Sequence, residues 1–287
     1  MSSTPRFATL LTGRGLVESP RWQDDRLYFS DWGTGEVMAV DAAGTSEVVS
    51  RVPTPTMPFC LDRLPDGRLL VVNGQELRVR EGNGTWTPYA DLSRLEGPYG
   101  YNDIVVDGRG NTYVNNIDFA YGGEFQPGFV ALVTPEGVVS RVAEGLAFPN
   151  GMAVTPDNQT LIVAESYGRV LSAYDIAADA RLSGQRIWAD LSGAAPDGIC
   201  LDAEGAIWFA EVPGQRCVRV AEGGQVLQEI PSELACFSCA LGGPTGTTLY
   251  VTAAGWPEAM TPGSRSGQIL TAEVEVPGAG WPGPGAG

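Results

Sequence analysis

A sixfold repeat constrains this chain more than any other feature. The segments DDRLYFSDW, DGRLLVVNG, GRGNTYVNN, DNQTLIVAES, AEGAIWFAEV and TGTTLYVTAA begin at residues 24, 66, 108, 157, 203 and 245 of 287, a spacing of 42 to 49 residues. Each joins a turn built on Gly, Asp or Asn to a short apolar run rich in β-branched and aromatic residues, as in a buried strand. A short apolar run by itself is also compatible with buried helix. Recurrence with Gly/Asp turns at this period selects a four-stranded propeller blade instead. The expected fold is therefore all-β: one six-bladed β-propeller over residues 1–276. Phe7–Leu11 is expected to close the last blade beside Gln268–Val276. Residues 277–287, PGAGWPGPGAG, are rich in Pro and Gly and are expected to lack structure.

Composition removes whole classes of function. The net charge is −16, and the chain has neither lysine nor histidine. No basic stripe exists to release phosphate counterions, so neither nucleic acid nor an anionic membrane is an expected partner. Without His there is no Ser-His-Asp triad, no imidazole base and no His-ligated zinc. Without Lys there is no Schiff base. Five cysteines, Cys60, Cys200, Cys217, Cys236 and Cys239, are odd in number and irregular in spacing, so no disulfide framework is implied. The Cys236–Cys239 CxxC has no second pair and reads as small buried apolar residues. MSSTPRF has no charged stretch leading into an apolar one, and no apolar run reaches membrane-spanning length, so a cytoplasmic protein is expected. The residues imply no obligate protein partner.

The segments that precede each repeat hold the chemistry. Counting eight residues back from the turn residue gives Phe59, Asn102, Asn150, Asp197 and Ser238; seven back from Asp25 gives Glu18. Equivalent positions in a propeller lie at one height around its axis, so these six are expected to point at one place. Glu18, Asn102, Asn150 and Asp197 are oxygen donors. Two carboxylates and two amides suit one hard divalent cation, calcium first, with magnesium or manganese as alternatives; zinc is less favoured for want of imidazole or thiolate. Two carboxylates facing each other would need a cation or a proton between them. Pro-Asn-Gly and Pro-Asp-Gly are also ordinary turn sequences. Their recurrence at one repeat position, with Glu18 and Asn102, favours ligands.

At these motifs, ESPRW, YNDIVVDGRG, FPNGMAVTPD and PDGICLDAEG, the chain resembles the SMP-30/gluconolactonase/luciferin-regenerating enzyme family from about Gly15 to Val276. The resemblance implies a metal-dependent hydrolase that opens a lactone ring. It implies metal ligation by Glu18, Asn150 and Asp197, ligation or substrate contact by Asn102, and Asp197 as general base. Asp103 is a second carboxylate, which strand alternation directs away from the axis. Sugar-lactonase members often carry an Arg two residues before the Asn matching Asn102. Gly100 stands there, and the substrate is expected to be less polar than a free aldonolactone. The absence of His separates the chain from paraoxonase-like lactonases.

Loops at the same mouth are expected to form the pocket. The longest is NIDFAYGGEFQPG, residues 116–128. Asn102, Tyr101, Asn116, Phe119, Tyr121 and Phe148 are the expected substrate contacts; Phe59, Tyr99, Phe125 and Trp256 extend the wall, and Asn115 and Asp118 reach the mouth. Two other functions fit the same residues: a non-hydrolytic isomerase, lyase or condensing enzyme on the metal-containing propeller, and a non-catalytic propeller whose calcium is structural.

Overall fold

The computed structural model describes residues 5–95 and 99–280. Its strands form six four-stranded antiparallel sheets, the blades of a β-propeller fold. The chain divides into two compact units, one running up to Val52 and again from Ala189 to Gly280, the other from Pro53 to Trp188.

The first unit holds three sheets. β1 (Ala8–Arg14) precedes β2 (Val17–Gln23), β3 (Arg26–Asp31), β4 (Glu36–Asp41) and β5 (Ser46–Arg51). In the second unit, β6 (Phe59–Arg63), β7 (Leu69–Asn73), β8 (Glu76–Arg80) and β9 (Trp86–Asp91) form one sheet. β10 (Ile104–Val106), β11 (Thr112–Asn116), β12 (Gly128–Val133) and β13 (Val139–Leu146) form the next. β14 (Pro149–Val154), β15 (Thr160–Glu165), β16 (Val170–Ile176) and β17 (Leu182–Asp190) form the third. The chain then returns to the first unit with β18 (Pro196–Leu201), β19 (Ile207–Glu211), β20 (Arg216–Val220) and β21 (Val226–Pro231). β22 (Ala235–Gly242), β23 (Thr248–Ala254) and β24 (Gly267–Glu273) follow. β1 is the fourth strand of this last sheet, antiparallel to β24, with Ala8 opposite Thr271.

All six repeat segments lie on the turn and second strand of a sheet. The turn residue used for counting adopts positive φ in every one: Asp25 58°, Gly67 86°, Gly110 87°, Asn158 58°, Gly205 78° and Gly246 74°. Glycine, aspartate and asparagine recur there because the left-handed conformation suits them best. The first hairpin has a two-residue loop with Asp24 also at positive φ, the type I′ arrangement. That loop is shorter than the others, which is why Glu18 lies seven residues from its turn and not eight.

The second strands are buried on both faces, so they read as continuous apolar runs and not as alternation. Leu70, Val71 and Val72 are fully buried. In the first unit, Val17, Leu27, Phe29 and Met38 pack against Ala240, Tyr250 and Ile269 of the neighbouring sheet. In the second, Tyr113, Val130 and Leu132 pack against Met152, Val154, Leu161 and Val163. Each such side chain contributes about 1.5–3 kcal/mol on burial.

The C-terminal stretch departs from expectation at its start. Pro277–Ala279 are ordered: the Pro277 carbonyl accepts from Ala203 N–H at 2.8 Å, Ala279 N–H donates to Leu201 O at 3.0 Å, and Gly278 bridges to Asp202. Two backbone bonds to the β18–β19 hairpin, with Gly278 N–H donating to Gly246 O at 2.9 Å, outweigh the local Pro/Gly composition. Residues 281–287 of the expected tail lie outside the described residues.

Candidate functional site

The four oxygen-donor positions share a local backbone device. In β18, Pro196 faces Glu211 and Ile199 faces Phe209, so Asp197 and Gly198 together oppose Ala210. In β14, Pro149 faces Glu165 and Met152 faces Val163, so Asn150 and Gly151 oppose Ala164. In β2, Glu18 faces Ser30 and the extra residue follows at once, before Arg21 faces Tyr28. At the entry to β10, Asn102 N–H donates to Asn115 O at 2.9 Å while Asn115 N–H donates to Asp103 O at 3.0 Å, again two residues against one. These are β-bulges, which re-aim a side chain and bend the strand. Pro-Asn-Gly and Pro-Asp-Gly are therefore bulges in first strands and not turns.

Phe59 and Ser238 lack that arrangement. β6 pairs without a shift, Phe59 facing Asn73. In β22 Ser238 faces Thr252, and the extra residue falls between Cys236 and Ser238. Counting eight back thus lands one residue early in these two sheets. Both side chains are buried.

In the second unit Asn102 Nδ2 donates to Asn150 Oδ1 at 3.3 Å, and Asn150 Nδ2 donates to Ser166 Oγ at 3.3 Å. Asn115 Nδ2 donates to the Asn150 carbonyl, which pins the bulge from below. In the first unit Glu18 is only 9% exposed and accepts from Ser19 N–H at 2.9 Å. Trp32 Nε1 donates to Ser30 Oγ, which donates to the Glu18 carbonyl, each at 3.1 Å. Ser19 and Phe148 hold positive φ, 56° and 62°, beside Glu18 and Asn150. Such backbone is costly for non-glycine residues and is concentrated at functional sites.

Glu18 is a buried carboxylate, and carboxylate and amide oxygens are the donors that hard divalent cations take. Among the described residues no group of three or more His, Cys, Asp or Glu side chains is arranged to hold a metal. A set of two carboxylates and two amides is the kind these positions offer.

The approach to each bulge is fastened by the last residue of the second strand. Asp31 accepts from Gly15 N–H at 3.3 Å, Glu165 from Ala147 N–H at 2.7 Å and Glu211 from Ala195 N–H at 3.1 Å. Asn116 Nδ2 donates to Tyr99 O at 3.0 Å, and Asn73 Oδ1 accepts from Thr56 N–H at 2.7 Å. All five side chains are buried. The corresponding residue of β23, Thr252, donates its hydroxyl to Ser238 O at 3.3 Å. Inspection of single motifs misses this series. Its signal is an acid or amide recurring at one place, six residues after the turn (seven in the fourth sheet).

The expected substrate contacts separate into two groups. Tyr101 and Asn116 are interior, 2% and 1% exposed. Tyr101 packs edge-on against Phe129 and donates its hydroxyl to Leu92 O at 3.3 Å; Asn116 is spent on Tyr99 O and Asp118 N–H. Burial pushes the Tyr101 phenol up to about 12. Asn115 is likewise buried beneath Asn150. Phe119 and Phe148 join Phe125, Tyr121 and Tyr167 in an aromatic cluster, with Phe148 and Tyr167 centroids 4.7 Å apart and Phe119 and Phe148 5.7 Å apart. Tyr121, Phe125 and Tyr167 are exposed while Phe119 lies beneath them. Asp103 is buried and accepts from Ile104 N–H at 2.8 Å, a structural role. Trp256 packs on Phe237 in the first unit. Cys60, Cys217, Cys236 and Cys239 are buried and Cys200 is partly so, all as free thiols. Among the described residues no helix is long and apolar enough to cross a membrane.

Comparison with known proteins agrees with this architecture. Pentonolactonase XacC of Haloferax volcanii is 29% identical over 252 residues, covering 84% of this chain and 82% of that protein. A solved luciferin-regenerating enzyme matches with a TM-score of 0.82 at 20% identity, covering 97% of this chain and 99% of the other. The structure of a calcium-binding protein, regucalcin, from Agrobacterium tumefaciens matches with a TM-score of 0.80 at 22% identity, covering 99% of each chain. These structures share the fold. Residues 16–255 match the SMP-30/Gluconolactonase/LRE-like region, and the chain belongs to that family.

Proposed function

We propose that this protein is a lactone hydrolase that holds one divalent cation, calcium in the first place, on Glu18, Asn102, Asn150 and Asp197. The observation that carries the reading is a β-bulge at or directly after an oxygen-donor residue in three first strands and at the entry to a fourth, at one repeat position. The pentonolactonase relative and the gluconolactonase members named in the family support a lactone substrate. The calcium-binding regucalcin supports the cation.

When bound, the cation would supply Lewis-acid chemistry at the lactone carbonyl. The Asp197 carboxylate takes the proton of the attacking water. The carbonyl carbon gains that oxygen, the ring C–O bond breaks, and the protonated Asp197 returns the proton to the departing ring oxygen, giving the open hydroxy acid. Asn102, aligned by its bond to Asn150 Oδ1, orients the substrate. The exposed aromatics Tyr121, Phe125 and Tyr167, with Gly100 in place of an arginine, favour a lactone less polar than a free aldonolactone. Five free thiols fit a reducing compartment, and we place the protein in the cytoplasm.

The test is a panel of sugar and aliphatic lactones assayed with EDTA and after return of calcium, magnesium, manganese or zinc. Turnover should vanish with chelator and return with a divalent ion, and Asp197→Ala should abolish both hydrolysis and cation binding. Chelator-resistant turnover by the Asp197→Ala protein would overturn the mechanism.

A further inference from the structure

We infer that the buried acids and amides at the ends of the second strands are positioning residues, and that Glu165 in particular sets the height of Asn150. This rests on the proposed cation site. The geometry is repeated and local. Glu165 Oε2 accepts from Ala147 N–H at 2.7 Å, three residues before Asn150, while Oε1 accepts from the Ser172 hydroxyl. The carboxylate is thus held from its own sheet and grips the incoming chain. Pro149 faces Glu165 directly, so the grip straddles the start of the bulge. In the first unit Glu211 holds Ala195, two residues before Asp197, and its other oxygen is held by Arg216 Nε at 2.6 Å. Gly168 and Gly214 leave room for the two carboxylates under the turns that follow: a Cβ on Gly168 would meet Glu165 Cβ at 3.1 Å, and one on Gly214 would meet Glu211 Cδ at 2.6 Å. Asp31 and Asn116 hold Gly15 and Tyr99, each three residues before Glu18 and Asn102.

The series also supplies its own control. Asn73 makes the same bond to Thr56, but it precedes Phe59, which carries no ligand atom and sits on an unbulged strand. Loss of Asn73 removes a buried bond without touching a ligand.

Three variants separate positioning from stability. Glu165→Asp keeps the charge and shortens the reach by one methylene. Glu165→Gln keeps the reach, and the Ser172 hydroxyl turns to accept from the new amide. Asn73→Ala is the stability control. Calcium binding is followed by titration calorimetry, thermal stability by scanning calorimetry, and backbone exchange at 147–152 by hydrogen–deuterium exchange. Glu165→Asp should weaken calcium about tenfold, the scale expected for a residue that orients a ligand, and should speed exchange at 147–152. Glu165→Gln should stay within about threefold of the parent. Asn73→Ala should lower the melting temperature and leave calcium affinity unchanged. Equal losses of affinity in Asn73→Ala and Glu165→Asp would overturn the inference, as would parental exchange at 147–152 in Glu165→Asp. If the parent protein binds no calcium yet Glu165→Asp speeds exchange there and Glu165→Gln does not, the cation reading fails while the positioning role stands.

Discussion

Gly198 and Ser238 are packed so closely that a methyl group on Gly198 would fall inside the Ser238 side chain, 2.6 Å from its Cα. Gly198 is the residue after Asp197 in the bulge of β18, and Ser238 lies on β22 of the neighbouring sheet. Gly198→Ala should therefore drive the two strands apart at Asp197. We expect a loss of about 1–3 kcal/mol, typical of overpacking, with weakened cation binding. Ser238→Gly added to Gly198→Ala removes the clashes with Oγ and Cβ but leaves Cα at 2.6 Å, and should restore only part of both. Chemical denaturation and calorimetric titration of the single and double variants read the coupling; additive losses would show that the contact is not the cause.

That contact also marks where sequence reading stops. The repeat located every second strand, because a buried blade needs a β-branched or aromatic run after a tight turn, and the turn residue must accept positive φ. Counting back from that residue reaches Glu18, Asn102, Asn150 and Asp197, because three first strands and the entry to β10 carry one extra residue at that place. It placed Phe59 and Ser238 one residue early, because their strands do not. Tyr101 is expected among the aromatic residues that contact substrate. It lies in the core, 2% exposed, where Leu92 O accepts from its hydroxyl. An aromatic residue beside a site has the same letter whether it faces ligand or core.

Burial of Tyr101 has a consequence at high pH. Its phenol is pushed up to about 12 by burial, as is that of Tyr250. The folded chain binds these protons more tightly than the unfolded chain, whose phenols titrate near 10. Their contribution is fully present below pH 10 and is lost as pH rises through 10 toward 12. For the buried Tyr101 the two-unit difference is worth about 2–3 kcal/mol. Tyr101→Phe should flatten the fall of melting temperature between pH 9 and 11 while leaving lactone turnover at neutral pH within about twofold. A large loss of turnover would return Tyr101 to the substrate-binding set.

The thiols should divide by exposure. Burial pushes the Cys217 and Cys239 thiols up and withholds them from solvent, while Cys200 is only partly buried and lies 3.7 Å from Cys239. A thiolate-selective disulfide reagent should label one cysteine in the native protein, Cys200, and all five after unfolding. Peptide mapping identifies the labelled site, and Cys200→Ser should abolish native labelling. Rapid native labelling of Cys217 or Cys236 would show that the β18–β24 region opens readily.

The aromatic cluster separates substrates by their substituents. Tyr121, Phe125 and Tyr167 present apolar surface over Phe119 and Phe148, and Phe148 lies two residues from Asn150. A lactone with an alkyl or aryl substituent would cover part of that surface, at about 25 cal/mol per Å². Covering about 60 Å² amounts to ~1.5 kcal/mol, roughly a tenfold change in KM. Phe125→Ala with Tyr167→Ala should therefore raise KM about tenfold for an alkyl-substituted lactone. Turnover of the unsubstituted ring should change little, because that ring leaves the apolar surface uncovered. Steady-state kinetics on a matched pair of lactones reads the difference directly. Equal losses on both substrates would assign the cluster to holding the 116–128 loop in place, and an unchanged KM on both would remove it from the binding surface.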